Sequence, residues 1–312
     1  EAFLTVTIVF TAIYAYTGQA HMASLFAALA TSTAPAATAD VLWEYRSKGA
    51  LTTTIMALVG LDDVVAILAF TLASYYASIE LAGAKAPTHE LISFFIHEIF
   101  FALILGVLIG LMLVAAAKVL TKKRDLFIVT IGSVILCSGL AEYFNASEIL
   151  SNMIVGFIFI NMCIKAKTSI HVVRELTAPL FTLFFVITGA RLNVWLLITL
   201  GLTGVIYLAA RIAGKTFGAT LGAYISKAPP AVRKYIGFCL YSQAGVSIGL
   251  GSYLYHELKL LGEEAAKIGA NILNTIIATS LILLLIGPVI IKYAIVKAGE
   301  AGKIVREELV FE

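Results

Sequence analysis

Val59-Gly60-Leu61-Asp62-Asp63-Val64-Val65 sets two adjacent carboxylates near the middle of an apolar run over residues 51–77. A run of that length crosses a hydrocarbon core of roughly 30 Å with some tilt. Membrane stability asks for no acid at such a position. On insertion scales one aspartate at a helix centre costs about 2.5 to 3.5 kcal/mol, so a pair persists only beside water, an ion or a cationic partner. The stretch reads as an ion or proton site, and the plainer alternative is a pair of carboxylates that only salt-bridge neighbouring helices.

Working outward, 60% of the 312 residues are apolar, 13% are charged and the mean hydropathy is +0.97. No soluble domain of this length carries such values, and the chain is a polytopic membrane protein. Lipid admits only α-helices or closed barrels, and the apolar runs are continuous rather than alternating, which leaves helices. Cys137, Cys163 and Cys239 fall in or at the ends of apolar segments without metal-ligand spacing and read as small core residues. The net charge of +3 comes from loops on one side and points to no nucleic-acid partner.

Window hydropathy divides the chain into ten segments, over 2–17, 20–41, 51–77, 91–120, 126–140, 149–164, 178–190, 194–225, 235–255 and 268–296. The second is interrupted at Thr31-Ser32-Thr33-Ala34-Pro35, where proline removes a donor and disfavours helix just before it. The ninth has a polar, glycine-rich centre at Gln243-Ala244-Gly245-Val246-Ser247-Ile248-Gly249. Sorting Lys and Arg by alternating loops gives sixteen on one side and four on the other, so the richer side, with Glu1 and the C-terminal tail, is expected in the cytoplasm. Only Arg211 and Lys215 belong to no loop. Segments one to three and eight to ten each set an interrupted helix between two continuous ones, entered from opposite faces, as an inverted repeat of the transporter type would. Two further spans before Glu1 would complete the first repeat, and the absence of an initiating methionine fits that expectation.

Interrupted helices leave unpaired amides and carbonyls at mid-membrane, tolerable only in a protein-lined cavity. The first interruption offers the hydroxyls of Thr31, Ser32 and Thr33, and the second offers Gln243 and Ser247, with Gly245 and Gly249 permitting close backbone approach. Arg211 lies near the centre of segment eight, and Lys215 is one turn further along the same face, about 6 Å away by helical rise. A basic residue at the depth of an aspartate pair is its natural partner, and Arg211 matches that depth best. Lys215 would then face the carbonyl ends of a broken helix. Weaker signals are His97 and Glu98 near an interface, Asn152, Asn161, Asn271 and Asn274 as interhelical hydrogen-bonding groups, and His21, Glu142 and Glu148 as solvated residues near external loops.

The Thr-Ser-Thr-Ala-Pro break, the Lys48-Gly49 linker, Gly60-Leu61-Asp62-Asp63, Arg211-Ile-Ala-Gly-Lys215 and Gln243-Ala-Gly-Val-Ser-Ile-Gly249 occur in that order. Together they resemble the cation:proton antiporter-2 family, sodium/proton and potassium/proton antiporters of the NhaA fold. The resemblance implies an all-α membrane protein with an inverted repeat and two crossing discontinuous helices, marked here by Thr31, Pro35, Gln243, Gly245 and Ser247. It implies a transport core over 20–78 and 178–296, scaffold helices over 91–164, and a cytoplasmic tail over 297–312. Asp63 would bind the cation or proton. Asp62 would be the second carboxylate, paired with the basic residue of segment eight, and close relatives place a lysine in that role. Thr33 and Ser32 would line the Na⁺ site. The double aspartate implies electrogenic exchange. The family also implies a homodimer in the plasma membrane that carries Na⁺, Li⁺ or K⁺ against protons and needs no cofactor beyond the transported ions.

Burial raises a carboxylate's proton affinity and a nearby cation lowers it, so one group can hold either a proton or a metal ion, and exclusive occupancy couples the two. A K⁺/H⁺ antiporter and an organic-anion/Na⁺ symporter of the same fold are the alternatives. An intramembrane aspartyl protease is disfavoured, because adjacent residues project about 100° apart rather than facing across a substrate. Serine chemistry lacks a buried histidine base, and a single acidic pair is no channel filter.

Overall fold

Proline and glycine set where the helices stop and start. The computed structural model describes residues 1–81, 88–120, 122–163 and 201–303, with a few isolated positions between 179 and 187. Segment seven lies almost wholly outside the described residues, as do the start of segment eight, Lys85, Lys165, Lys167, Arg174, Arg191 and Arg306. No strand occurs among the described residues. α1 (Ala2–Thr17) ends on Gly18, whose φ of 69° turns its N–H back to the Tyr14 carbonyl at 2.8 Å. That left-handed cap costs little without a Cβ. α2 (Ala20–Leu29) stops short, and the Thr31 hydroxyl donates to the Ala28 carbonyl at 2.7 Å. Ala34 is extended, and α3 (Pro35–Glu44) opens on Pro35, where the missing N–H would have had no helical partner. The expected first interruption is thus a complete break.

α4 (Ala50–Leu81) runs unbroken for 32 residues and carries both aspartates. α5 (Thr88–Val119), α6 (Lys123–Tyr143) and α7 (Glu148–Met162) follow. The chain continues with α8 (Gly201–Ile225), the short α9 (Pro230–Tyr235), a 3₁₀ turn over Ile236–Phe238, α10 (Gly245–Leu260), and α11 (Glu263–Lys297), which contains Pro288. The second break therefore lies over 239–244. Gly245, Ser247 and Gly249 belong to the opening of α10, and nothing lies within 4 Å of a Cβ built on Gly249. The close approach expected at Gly249 does not occur.

Four of the described helices are individually long and apolar enough to cross a membrane: α4, α5 from Ile96, α6 from Arg124, and α11. α1, α2 and α7 are apolar but shorter. Two compact units result, one of Glu1–Lys85 with Leu192–Glu312 and the other of Ala86–Arg191. In the first, Leu51, Ile55 and Val59 of α4 pack with Val232, Ile236, Leu240 and Ile291. Lipid removes much of the hydrophobic drive between helices, so close packing of small residues matters more than in water. A Cβ on Gly214 of α8 would lie 2.7 Å from Thr5 Cα, and one on Gly218 would lie 2.6 Å from the Glu1 carbonyl oxygen. These glycines let α1 lie directly on α8.

In the second unit, Gly106 of α5 takes the same part, with a Cβ there meeting the Ser151 carbonyl of α7 at 2.7 Å. Asn152 Nδ2 reaches from α7 to Ser138 Oγ of α6 at 2.9 Å, the interhelical role expected of it. Asn161 instead donates to Phe157 of its own helix, and both Asn161 and Asn271 are exposed. His97 is exposed beside Phe101. His21, expected in solvent, is buried at 9% exposure with its Nδ1 3.3 Å from Glu80 Oε1. Glu80 belongs to α4, which packs beside α2.

Candidate functional site

Both helix breaks end against each other. Ala34 N–H donates to the Ser242 carbonyl at 2.9 Å, so the first break is hydrogen-bonded to the second through the main chain. Gln243 Nε2 spans the same gap, its two hydrogens shared among the Leu29 carbonyl (2.9 Å), Tyr207 Oη (2.8 Å) and Ser247 Oγ (2.8 Å). The Leu29 carbonyl can only accept, which fixes that face of the amide as the NH₂ group. Ser247 Oγ also donates to Leu29, and it pairs with Ser32 Oγ. These bonds satisfy carbonyls that the end of α2 leaves open.

α8 supplies the charge. Tyr207, Arg211 and Lys215 recur every four residues and so share one face, and all three are 0% exposed. Arg211 Nη1 donates to the Tyr241 carbonyl at 2.7 Å and Nη2 to the Ser32 carbonyl at 2.8 Å, so one guanidinium holds both breaks. Its cationic fork offsets the partial negative charge of the helix ends it faces. Lys215 Nζ donates to Asp62 Oδ2 at 2.7 Å, to Thr33 Oγ1 at 3.0 Å and to the Thr31 carbonyl, and lies 3.1 Å from Glu1 Oε1. Thr33 passes its own hydrogen to Asp62 Oδ2 at 2.7 Å. The assignment of Arg211 from depth is therefore overturned: Lys215 is the carboxylate's partner while also meeting a carbonyl of the first break, as expected of it, and Arg211 bonds carbonyls of both breaks instead. Counting rise along α8 measures position on one helix and carries no information on its register against α4.

Asp62 and Asp63 are 3% and 8% exposed. Asp62 Oδ2 accepts from both Lys215 and Thr33, whereas Asp63 Oδ1 is buried without a hydrogen-bond partner. Adjacent residues on a helix point about 100° apart, which explains why two neighbours meet such different surroundings. Thr33 reaches the carboxylates, while the hydroxyl of Ser32 is turned to Ser247. Thr31 contributes its carbonyl to Lys215, Pro35 starts α3, and Gly245 starts α10. No cluster of three or more His, Cys, Asp or Glu able to hold a metal ion occurs among the described residues.

Glu1, Tyr207 and Tyr241 were not legible as site residues in the sequence. The four-residue spacing from Tyr207 to Lys215 was the available signal for Tyr207. The arrangement places one unsatisfied carboxylate next to one that is already neutralised, at the crossing of two helix breaks. Such a pair can take up a small cation or a proton at one group while the other keeps its counter-ion.

A family model described as sodium/hydrogen exchanger, transmembrane, matches residues 2–297. No curated protein sequence matches the chain. Among solved structures, the sodium proton antiporter MjNhaP1 from Methanocaldococcus jannaschii at pH 8 is similar with a TM-score of 0.70 and 17% identity, over 96% of this chain and 73% of that one. At this identity the likeness carries the fold, an antiporter membrane fold. By the family match, which spans nearly its whole length, the chain is a multi-pass membrane protein of the sodium/hydrogen exchanger family, a transporter and not an enzyme.

Proposed function

We propose that the chain exchanges Na⁺ for protons by alternating access, with Asp63 as the group that binds cation or proton and Asp62 as its salt-bridged companion. The observation that carries this reading is the buried, unpartnered Oδ1 of Asp63 beside an Asp62 held by Lys215. A bare carboxylate resists crossing a membrane, so occupancy by either ion licenses the movement of the site between faces. Exclusive occupancy then couples the two fluxes.

Exchange at Asp63 alone, one Na⁺ for one H⁺, moves no net charge. Electrogenic exchange needs a second proton for each Na⁺, and the presence of two adjacent carboxylates, Asp62 and Asp63, is what supports that stoichiometry in this proposal. The protein works as a homodimer in the plasma membrane, with its C-terminal tail in the cytoplasm.

Proteoliposomes with an internal pH dye test this directly when Na⁺, Li⁺ or K⁺ is added outside and a K⁺-valinomycin potential is imposed. Na⁺ is expected to drive proton efflux at a rate that depends on the potential. Because the two ions compete for Asp63, lowering the pH by one unit raises the apparent KM for Na⁺, up to tenfold in the competitive range. Proton flux driven only by K⁺, or insensitivity to the imposed potential, would overturn the sodium or the electrogenic part respectively.

A further inference from the structure

The helix that carries the aspartates starts without a cap of its own. The residue before α4 is Gly49, which has no side chain to accept from the first free amides, and the unpaired N–H groups there need a partner. Glu300, three residues beyond the end of α11, supplies it. Its Oε1 accepts from Leu51 N–H at 2.8 Å, and its Oε2 accepts from Thr52 N–H at 2.8 Å and from Thr52 Oγ1 at 2.7 Å. Glu300 is only 5% exposed.

The main chain repeats the link on either side. Lys48 N–H donates to the Glu300 carbonyl at 3.0 Å, Gly302 N–H to the Tyr45 carbonyl at 2.8 Å, and Lys303 N–H to the Arg46 carbonyl at 3.1 Å. Gly299 and Gly302, at φ of 69° and 74°, make the turns that carry the chain back across α4. A Cβ on Gly49 would sit 2.2 Å from Glu300 Cδ, so any larger residue there would displace the carboxylate from its place. A buried carboxylate on a helix N-terminus also gains from the positive end of the macrodipole.

From these contacts we infer that Glu300 is a positioning residue for exchange: it locks the chain after α11 to the start of α4 and thereby fixes the axial position and rotation of Asp62 and Asp63. Twelve residues separate Ala50 from Asp62, about 18 Å of unbroken helix, so a shift at the clasp moves the carboxylates against Lys215 and Thr33 as a rigid rod would. Glu300 touches no ion and acts through the helix. The segment after α11 becomes a control point, because any pull on it reaches the ion site. This inference rests on the proposed exchange at Asp63.

Proteoliposome exchange by the full chain tests it with three variants: Glu300→Gln, which leaves one acceptor oxygen and sets an amide donor against N–H groups; Gly49→Ala, which drives a methyl into the carboxylate; and Thr52→Val, which removes one hydroxyl donor. Melting temperature and monodispersity in detergent measure the folded fraction. The expected result is an apparent KM for Na⁺ raised about three- to tenfold in Glu300→Gln and Gly49→Ala, with a smaller rise in Thr52→Val and a displaced pH profile. A structural cap would lower only the maximal rate, in proportion to folded protein. Unchanged KM and pH profile in folded Glu300→Gln and Gly49→Ala overturn the inference, and so does failure of all three variants to fold, which would assign Glu300 to assembly alone. If the unsubstituted protein shows no Na⁺-driven flux, the proposed exchange itself has failed.

Discussion

Lys215→Met keeps most of the side-chain volume and removes the charge that neutralises Asp62. In the structure the fully buried Lys215 Nζ meets Asp62 Oδ2 at 2.7 Å and Glu1 Oε1 at 3.1 Å, so the substitution leaves Asp62 with the Thr33 hydroxyl and Glu1 without its cation. Removing one partner of a buried ion pair costs about 3–5 kcal/mol, because the other charge remains uncompensated. For a chain of this length that corresponds to a fall in Tm of roughly 5–8 °C. Adding Asp62→Asn removes the orphaned charge, and the double variant should recover about 2–3 kcal/mol of the loss as a coupling energy. Thermal unfolding of the four proteins in one detergent measures both quantities. The reasoning is refuted if Lys215→Met melts within a degree of the unsubstituted protein, or if the double variant is no more stable than that single one.

Asp62→Asn alone should change the charge moved per Na⁺ more than it changes the preference among Na⁺, Li⁺ and K⁺, as read from currents and dye responses on one preparation. Arg211→Lys trades a two-pronged fork for a single ammonium and should lose one of the bonds to Tyr241 and Ser32, lowering stability by about 1.5–3 kcal/mol in a melting experiment. Gly214→Ala, whose Cβ would sit 2.7 Å from Thr5 Cα, should cost about 1–3 kcal/mol through displacement of α1. Gly222→Ala on the same helix has nothing within 4 Å and should be neutral or stabilising by up to about 1 kcal/mol.

Much of this site can be read from residue type and order. Asp62 and Asp63 stand out because lipid penalises them, and the break at 31–35 stands out because Pro35 cannot continue a helix from Ala34. The second break is less legible. Its glycines suggest that the interruption coincides with Gly245 and Gly249, yet the chain opens earlier, over 239–244, and helix resumes at Gly245. Tertiary partners such as Ala34 N–H, rather than local propensity, hold that stretch open. The pairing of Asp62 with Lys215 rather than Arg211 has the same origin, since one turn of α8 separates the two cations and only the placement of α4 decides which meets Asp62. Glu300 looks like part of a charged tail, and its meaning appears only when Gly49, far away in chain order but adjacent in space, is seen to leave α4 uncapped. His21 likewise lies beside Glu80 of another helix, a neighbour its own segment does not reveal.

The most direct test of ion exchange at Asp63 is Na⁺-driven proton flux through Asp63→Asn in proteoliposomes, with the folded fraction matched to that of the unsubstituted protein. Flux at the level of protein-free vesicles is predicted. Undiminished flux would contradict the account.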